Sequence, residues 1–406
     1  MELKEFLNNS YTCYHAAKLG AQMLEKAGFA DIDSNADFKK AAGAYRVCGG
    51  CLLAVKKGND KINLVLSHTD SPSLRLRTDE NASAANSITL STEKYGGGLL
   101  RSYFDRKMKI AGRVILKQGN ALVSKCVSSD YNVVIPSLAV HLGAGKEGET
   151  FSVSRDMRPL AGDCENLCES LGAADAVDSD LFCVPAEEAY DCGVRGEYVC
   201  SPRIDNLVSV YASLRALIDC KNVSSAVAAC YNSEETGSET REGAEANMLE
   251  EFLQKAFAAF GQKADARSVL RSSFALSCDG AHALHPNRKE VYSDNAPVLG
   301  GGVAIKRNDR YATDALTCAA AREIFARAGV SAQTYRHHAD MRCGSTIGLT
   351  AAHTLGCAVC DIGVAQLAMH SAVETAAKKD IAALRGGLTK FFESDIAVSA
   401  DRIEIK

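Results

Sequence analysis

KINLVLSHTD, residues 61–70, starts at a lysine, runs through apolar residues and stops at His-Thr-Asp. A short apolar run closed by polar residues is the pattern of a strand buried on both faces, and reactive groups gather at the carboxyl ends of such strands. The same grammar returns after residue 205. NLVSVYASLRALIDC (206–220) reads as a helix, SSAVAACYNSEE (224–235) as a strand ending in acids, and MLEEFLQKAFAAFGQ (248–262) as another helix. Alternation of this kind predicts an α/β fold with a mostly parallel central sheet flanked by helices. Residues 74–201 read differently: SLRLRT, SITLST, AGRVILK and EYVCSP are short strand-like pieces between Gly- and Asn-containing turns, with one helix expected in GDCENLCESLGAADAVDSDL (162–181). The expectation is a catalytic domain built from 1–73 plus 202–406, with 74–201 an inserted β-rich domain for dimerisation or oligomerisation.

Composition narrows the class. Of 406 residues, 47% are hydrophobic and 24% charged, which suits a globular protein with a sizeable core. The 46 basic and 50 acidic residues are dispersed and sum to −4, so there is no basic footprint for nucleic acid or an anionic membrane. MELKEFLNNSYTCYHAAKLGAQMLEKAG (1–28) carries Glu2, Lys4 and Glu5 where an export signal needs an unbroken apolar run, and reads as an amphipathic helix. Sixteen cysteines scattered through a chain of this length point to reduced thiols and a cytoplasmic location. Cys48/Cys51 flank a Gly-Gly turn and Cys357/Cys360 lie in an Ala/Val-rich run, so both Cys-x-x-Cys pairs read as structural residues.

Five polar clusters fall at or near the strand ends: His68-Thr69-Asp70, Arg203-Ile204-Asp205-Asn206, Glu234-Glu235, Asp279 followed by His282, and Met369-His370. Any one of them alone is more often a satisfied core or surface group. Together they are the inventory of a two-metal site, which needs a carboxylate able to bridge two ions and terminal His and Asp/Glu ligands for each. Asp205 suits the bridge, and His68 and His370 the terminal positions. In His-x-Asp on an extended chain both side chains project to one side, so Asp70 is expected to accept the second N–H of His68. Glu234 and Glu235 would repel each other in an apolar site, whereas two cations make their proximity useful: one binds metal while the other handles protons.

The blocks LSHTDSPSLRLR, YGGGLLRSYFDRKMKIAGRV, IPSLAVHL, SPRIDNL, SEETGSE, AHALHPN, RYATD, CGSTIG and QLAMHSAVE occur in this order along nearly the whole chain. In this the sequence resembles the aspartyl aminopeptidase family of dinuclear zinc exopeptidases. The resemblance implies His68, Asp205 and Asp279 around one metal ion, and Asp205, Glu235 and His370 around the other. Zinc is expected, although manganese or cobalt suit the same ligands. Glu234 is implied as the general base, and the Asp205–Asn206 peptide as cis. His141 would enter a neighbouring subunit's active site within a dodecamer that admits short peptides. Lys306, with Tyr311, matches the substrate-recognition segment, where a cation would pair with an acidic N-terminal side chain. His282 and His285 are candidates to support the metal site or line the pocket, and His282, three residues beyond Asp279, is favoured.

Three departures from the family pattern stand out: Gly280 where Met is usual, HHADMR before CGSTIG, and Asn232-Ser233 where Asp-His is usual. The leading expectation is an aminopeptidase for N-terminal Asp or Glu. An aminopeptidase for neutral residues, an assembled scaffold without catalysis and a metal-dependent deacylase are the alternatives.

Overall fold

The computed structural model describes residues 1–80, 82–84, 86–142, 149–164 and 166–406. The deciding run forms the strand Asn59–His68 inside a nine-stranded sheet. Its alternating side chains feed two cores. Ile62, Leu64 and Leu66 pack with the helices Met248–Phe260 and Ile347–Leu355, and Val65 packs on the other face with Cys13–Lys26, Ile204–Asp219 and Lys378–Glu393. Each such side chain stabilises the fold by roughly 1.5–3 kcal/mol. That outweighs the desolvation of buried Asn63, whose Nδ2 donates to the carbonyls of Phe391 (2.9 Å) and Ser394 (2.7 Å).

Asn59–His68 is parallel to both neighbours, Ser224–Tyr231 and Phe274–Cys278, and the latter is parallel to Ala358–Gly363. This common direction carries His68, the residues after Tyr231 and the residue after Cys278 to one edge of the sheet. Antiparallel pairings lie outside this centre, between Gly43–Cys48 and Cys51–Lys56, between the latter and Ser224–Tyr231, and between Val303–Lys306 and Ala358–Gly363. The mostly parallel, helix-flanked α/β architecture is therefore as expected. The N-terminal segment differs: two helices, Leu3–Asn9 and Cys13–Lys26, replace the single one expected. The break follows Asn8-Asn9-Ser10, residues that compete with helical hydrogen bonds, and Asn9 Nδ2 caps the Glu5 carbonyl at 2.8 Å.

The span from 73 to 185 is antiparallel. Ala121–Ser128, Met108–Gln118, Ala176–Pro185, Ser73–Leu76 and Thr92–Tyr95 form one sheet, and Leu160–Gly162, Ser87–Thr89 and Ala82–Ala84 form a second. The helix expected in 162–181 is short, Leu167–Ser170. Tyr198–Ser201 pairs with Glu374–Ala377 in a further sheet that includes Ala365–Leu367 and Ala281–His282. Among the described residues no helix is long and apolar enough to cross a membrane.

Candidate active site

The strand ends converge as the sequence suggested. His68 closes its strand, Asp279 follows Phe274–Cys278 directly, Glu234 and Glu235 occupy a turn after Ser224–Tyr231, and His370 follows Ala365–Leu367. Asp205 enters from the first turn of Ile204–Asp219, where helical geometry is interrupted at Asp205 and Asn206 and the peptide between them is cis. Ser233, just before the acids, and His370 itself are non-glycine residues in the left-handed region, with φ of 64° and 66°. That conformation is retained where surrounding contacts enforce it.

Asp205 divides its two oxygens between the two imidazoles. Oδ1 lies 3.5 Å from His68 Nε2 and Oδ2 lies 3.5 Å from His370 Nε2. Asp279 Oδ1 adds to the first group, 3.4 Å from His68 Nε2, and Glu235 Oε1 to the second, 3.3 Å from His370 Nε2. Glu234 Oε2 stands further back, 4.0 Å from His68 Nε2. In His68/Asp205/Asp279, in Asp205/Glu235/His370 and in a third combination, His68/Glu234/Glu235, the donor atoms lie within 4.8 Å of one another.

This arrangement asks for cations. Asp205 Oδ1 and Glu235 Oε1 are buried without a hydrogen-bond partner, which a buried carboxylate tolerates when a cation supplies the missing interaction. The titrating groups say the same. Burial, augmented by Asp279, Asp70 and Asp205 and opposed by His68, pushes Glu234 up to about 8. Glu235 is likewise raised, by burial first. Burial alone would lower both histidines, but adjacent carboxylates raise His68 well above its usual value and His370 to about 10. Asp205, despite its burial, is held well below the carboxylate range by the two imidazoles. Protons and imidazolium charge are thus drawn toward an excess of carboxylate. The His/carboxylate donor set suits zinc and also manganese or cobalt, so the residues fit the expected ions.

The supports were only partly foreseen. His68 Nδ1 sits 3.0 Å from the main-chain oxygen of Asp70 and 3.4 Å from its Oδ1, so the contact that fixes the ring runs mainly through the backbone. The Asp70 carboxylate instead accepts the backbone N–H groups of Glu234 (3.1 Å) and Glu235 (3.2 Å) and the Tyr95 hydroxyl (2.8 Å). Across the site, His370 Nδ1 lies 3.3 Å from the Gly97 carbonyl, and a Cβ on Gly97 would stand 3.2 Å from that nitrogen. Tyr95, Gly97 and Glu374 lie in the blocks YGGGLLR and QLAMHSAVE but received no role from the sequence. An acid in an apolar strand, Glu374 in ETAA, is the signal that could have found the last of them.

A cavity of about 480 Å³ opens over these groups, with His282, Lys306, Tyr311, Tyr335, Thr346 and Gly280 on its walls. Lys306 is the one Lys or Arg on these walls among the described residues. It is 2% exposed, 3.3 Å from Asp279 Oδ2 and 5.4 Å from the centre of the Tyr311 ring. Its charge is therefore shared with Asp279 and not free, as a simple specificity lysine would be. His282 lines the cavity and His285 does not, and burial with neighbouring Lys306 lowers His282 to about 4. Two of the three departures have local explanations. A Cβ at Gly280 would meet Gln366 Nε2 at 2.9 Å and Met369 Cε at 3.0 Å, so Met369 and Gln366 fill that space. Asn232 holds the acidic turn through Glu242 Oε2 and the Ser233 N–H, both at 2.8 Å. His141 is exposed on the 3₁₀ turn Val140–Leu142 and lies apart from the cavity of its own chain.

The family model for Peptidase M18, aminopeptidase I zinc metalloprotease, matches residues 6–392. A probable M18 family aminopeptidase 2 of Pseudomonas entomophila is 33% identical, covering 97% of each chain. An M18-family aminopeptidase from Thermotoga maritima superposes with a TM-score of 0.85 at 25% identity, over 96% of this chain and 94% of that one. The dodecameric mApe1 of S. cerevisiae gives 0.82 at 24%, over 96% and 95%. A site of histidines and carboxylates at parallel strand ends, within a match of this extent, has one reading: the chain belongs to the M18 family of zinc aminopeptidases.

Proposed function

We propose that this M18 zinc aminopeptidase uses two cations to release N-terminal residues from short peptides and prefers Asp or Glu at that position. The division of Asp205 between His68 and His370 carries the two-cation reading, because each oxygen faces its own set of donors. His68, Asp205 and Asp279 would hold one ion and Asp205, Glu235 and His370 the other. When bound, such ions polarise the scissile carbonyl, acidify the attacking water and offset the developing oxyanion charge. Glu234 is the general base. Half-buried, with Oε2 4.0 Å from His68 Nε2, it takes the water's proton and returns it to the leaving amine. Asp70 keeps that base in place by accepting the N–H groups of both glutamates.

Lys306 supports the acidic preference, being the one Lys or Arg on the cavity wall among the described residues, with Tyr311 under it and His282 beside it. We carry residues 74–201 as an inserted β-rich assembly region, supported by its antiparallel sheets. Exposed Val140 (72%) and Leu142 (71%) flank His141, as expected of a segment that meets a neighbouring subunit. The yeast neighbour is a dodecamer, and we propose the same assembly here. Reduced thiols and a cytoplasmic location complete the proposal.

The test is a rate panel on dipeptides beginning with Asp, Glu, Leu, Ala and Lys, before and after chelation and zinc return. Chelator-sensitive release of Asp or Glu ahead of the others is expected. Preferential release of Leu or Ala would overturn the acidic pocket and leave the mechanism standing, and release indifferent to chelation would overturn the mechanism.

A further inference from the structure

Glu374 lies in none of the three donor groups, yet it touches two members of one of them. It is 1% exposed, on the strand Glu374–Ala377. Its Oε2 accepts the backbone N–H of Asp205 at 2.9 Å, and its Oε1 accepts the backbone N–H of His370 at 2.6 Å. These residues are 165 positions apart in sequence (370 − 205) and belong to different elements, so no local structure fixes their separation. Both also have unusual local backbone. Asp205 interrupts its helix, and His370 is left-handed at φ 66°. A planar carboxylate with one amide on each oxygen sets the distance and relative orientation of the two backbones that carry the shared carboxylate and a terminal imidazole. Other ties fix one side at a time: the Ser71 hydroxyl donates to the Asp205 carbonyl at 2.7 Å, and the Leu99 N–H donates to the His370 carbonyl at 2.9 Å.

We propose that Glu374 is the positioning residue of the Asp205/Glu235/His370 cation position, spanning its two sides so that one ion can be reached from both. The inference rests on the two-cation reading above. Groups that orient metal ligands typically change affinity ten- to hundredfold when removed. The other position, His68/Asp205/Asp279, shares only Asp205, which Ser71 also holds, so its affinity should change much less.

In Glu374→Gln the shape is kept, but the amide oxygen can accept only one of the two N–H groups while its NH₂ faces the other. Glu374→Asp is shorter by one methylene and cannot span both. The purified full-length protein, stripped of metal and titrated with zinc against a competing chelator, gives two stepwise affinities. In both variants one of the two steps is expected to fall by roughly ten- to hundredfold, with the other within about threefold of wild type and assembly unchanged. Equal losses at both steps, together with a lowered melting temperature, would mark a merely structural Glu374 and overturn the proposal. Unchanged affinities would overturn it as well. If wild type itself binds fewer than two zinc ions, the two-cation reading fails instead, and wild-type stoichiometry keeps the two failures apart.

Discussion

The floor and the wall of the cavity are built in different ways. The floor, His68, Asp205, Glu234, Glu235, Asp279 and His370, comes from the ends of packed strands and the start of a helix, and buried carboxylates hold its turns through backbone amides. The wall, with His282, Lys306, Tyr311, Tyr335 and Thr346, comes from flanking strands and loops. Asp361 accepts the Ala312 N–H (2.7 Å) and the Thr346 hydroxyl (2.5 Å), but the groups that face the cavity meet through side chains: Tyr335 to His337 (2.9 Å), Cys343 to Tyr311 (3.4 Å) and Lys306 to Asp279 (3.3 Å). Backbone tethering sets positions that tolerate little change. Side-chain contacts leave room for specificity to drift while the chemistry is kept.

Changes to the floor should therefore be much more severe than changes to the wall. Asp205→Ala is expected to have the largest effect, emptying at least one cation position and abolishing peptide cleavage; metal analysis showing full zinc occupancy would refute the bridge. Glu234→Gln should retain both metals and the assembly while kcat falls by roughly 10²–10⁴-fold, the usual range for a lost general base. A near-normal rate removes Glu234 from that role. Lys306→Ala tests the wall. Losing a charge-assisted contact of roughly 1.5–3 kcal/mol should cost Asp and Glu substrates about 10- to 100-fold in kcat/KM beyond any loss for Leu. Because Lys306 also touches Asp279, some loss on every substrate is expected, and the ratio is the decisive quantity. Equal losses on all substrates would confine Lys306 to steadying the floor.

The smallest effect lies away from the cavity. Asp180 joins Arg75 and Arg113 in the antiparallel sheet, and although burial opposes it, the two guanidiniums hold its pKa below the ordinary 3.8. A lowered folded value adds stability that is present above 3.8 and disappears as pH falls through the folded value. Asp180→Asn should cost about 1 kcal/mol or less at neutral pH, since the arginines are partly exposed, and should flatten the pH dependence of melting below 3.8. Identical melting curves down to acid pH would show that the cluster adds nothing.

The same contrast explains what could be read in the sequence. His68, Glu234, Glu235 and Asp279 stand where apolar runs stop, so a parallel sheet must bring them to one edge. That was legible from pattern alone. Asp205 and His370 stood out from residue type as bridge and terminal ligand, although one opens a helix and the other follows a three-residue strand. The roles of Asp279 and Glu235 as ligands and of Glu234 as base needed the family resemblance. Lys306, Tyr311 and His282 were legible only by resemblance, since a lysine ending VAIK has no pattern that separates it from a solvated one. The pairing of Lys306 with Asp279 was not legible, nor was the hold of Asp70 on the glutamate amides or the reach of Glu374 from Asp205 to His370. The first joins two side chains 27 positions apart, and the other two depend on backbone N–H groups distant in sequence, which carry no residue-type signal. The break after Asn9 was missed because the amphipathic period continues across it.

Tyr95 and Gly97 belong to the β-rich span, yet they end on Asp70 and His370. Anyone trimming this enzyme to a minimal catalytic core meets that fact first. A chain shortened by residues 74–201 would still encode every proposed metal ligand. It would have lost the carbonyl that aims one imidazole and the hydroxyl that steadies the carboxylate under both glutamates, so for engineering purposes the active site begins inside the part that looks removable.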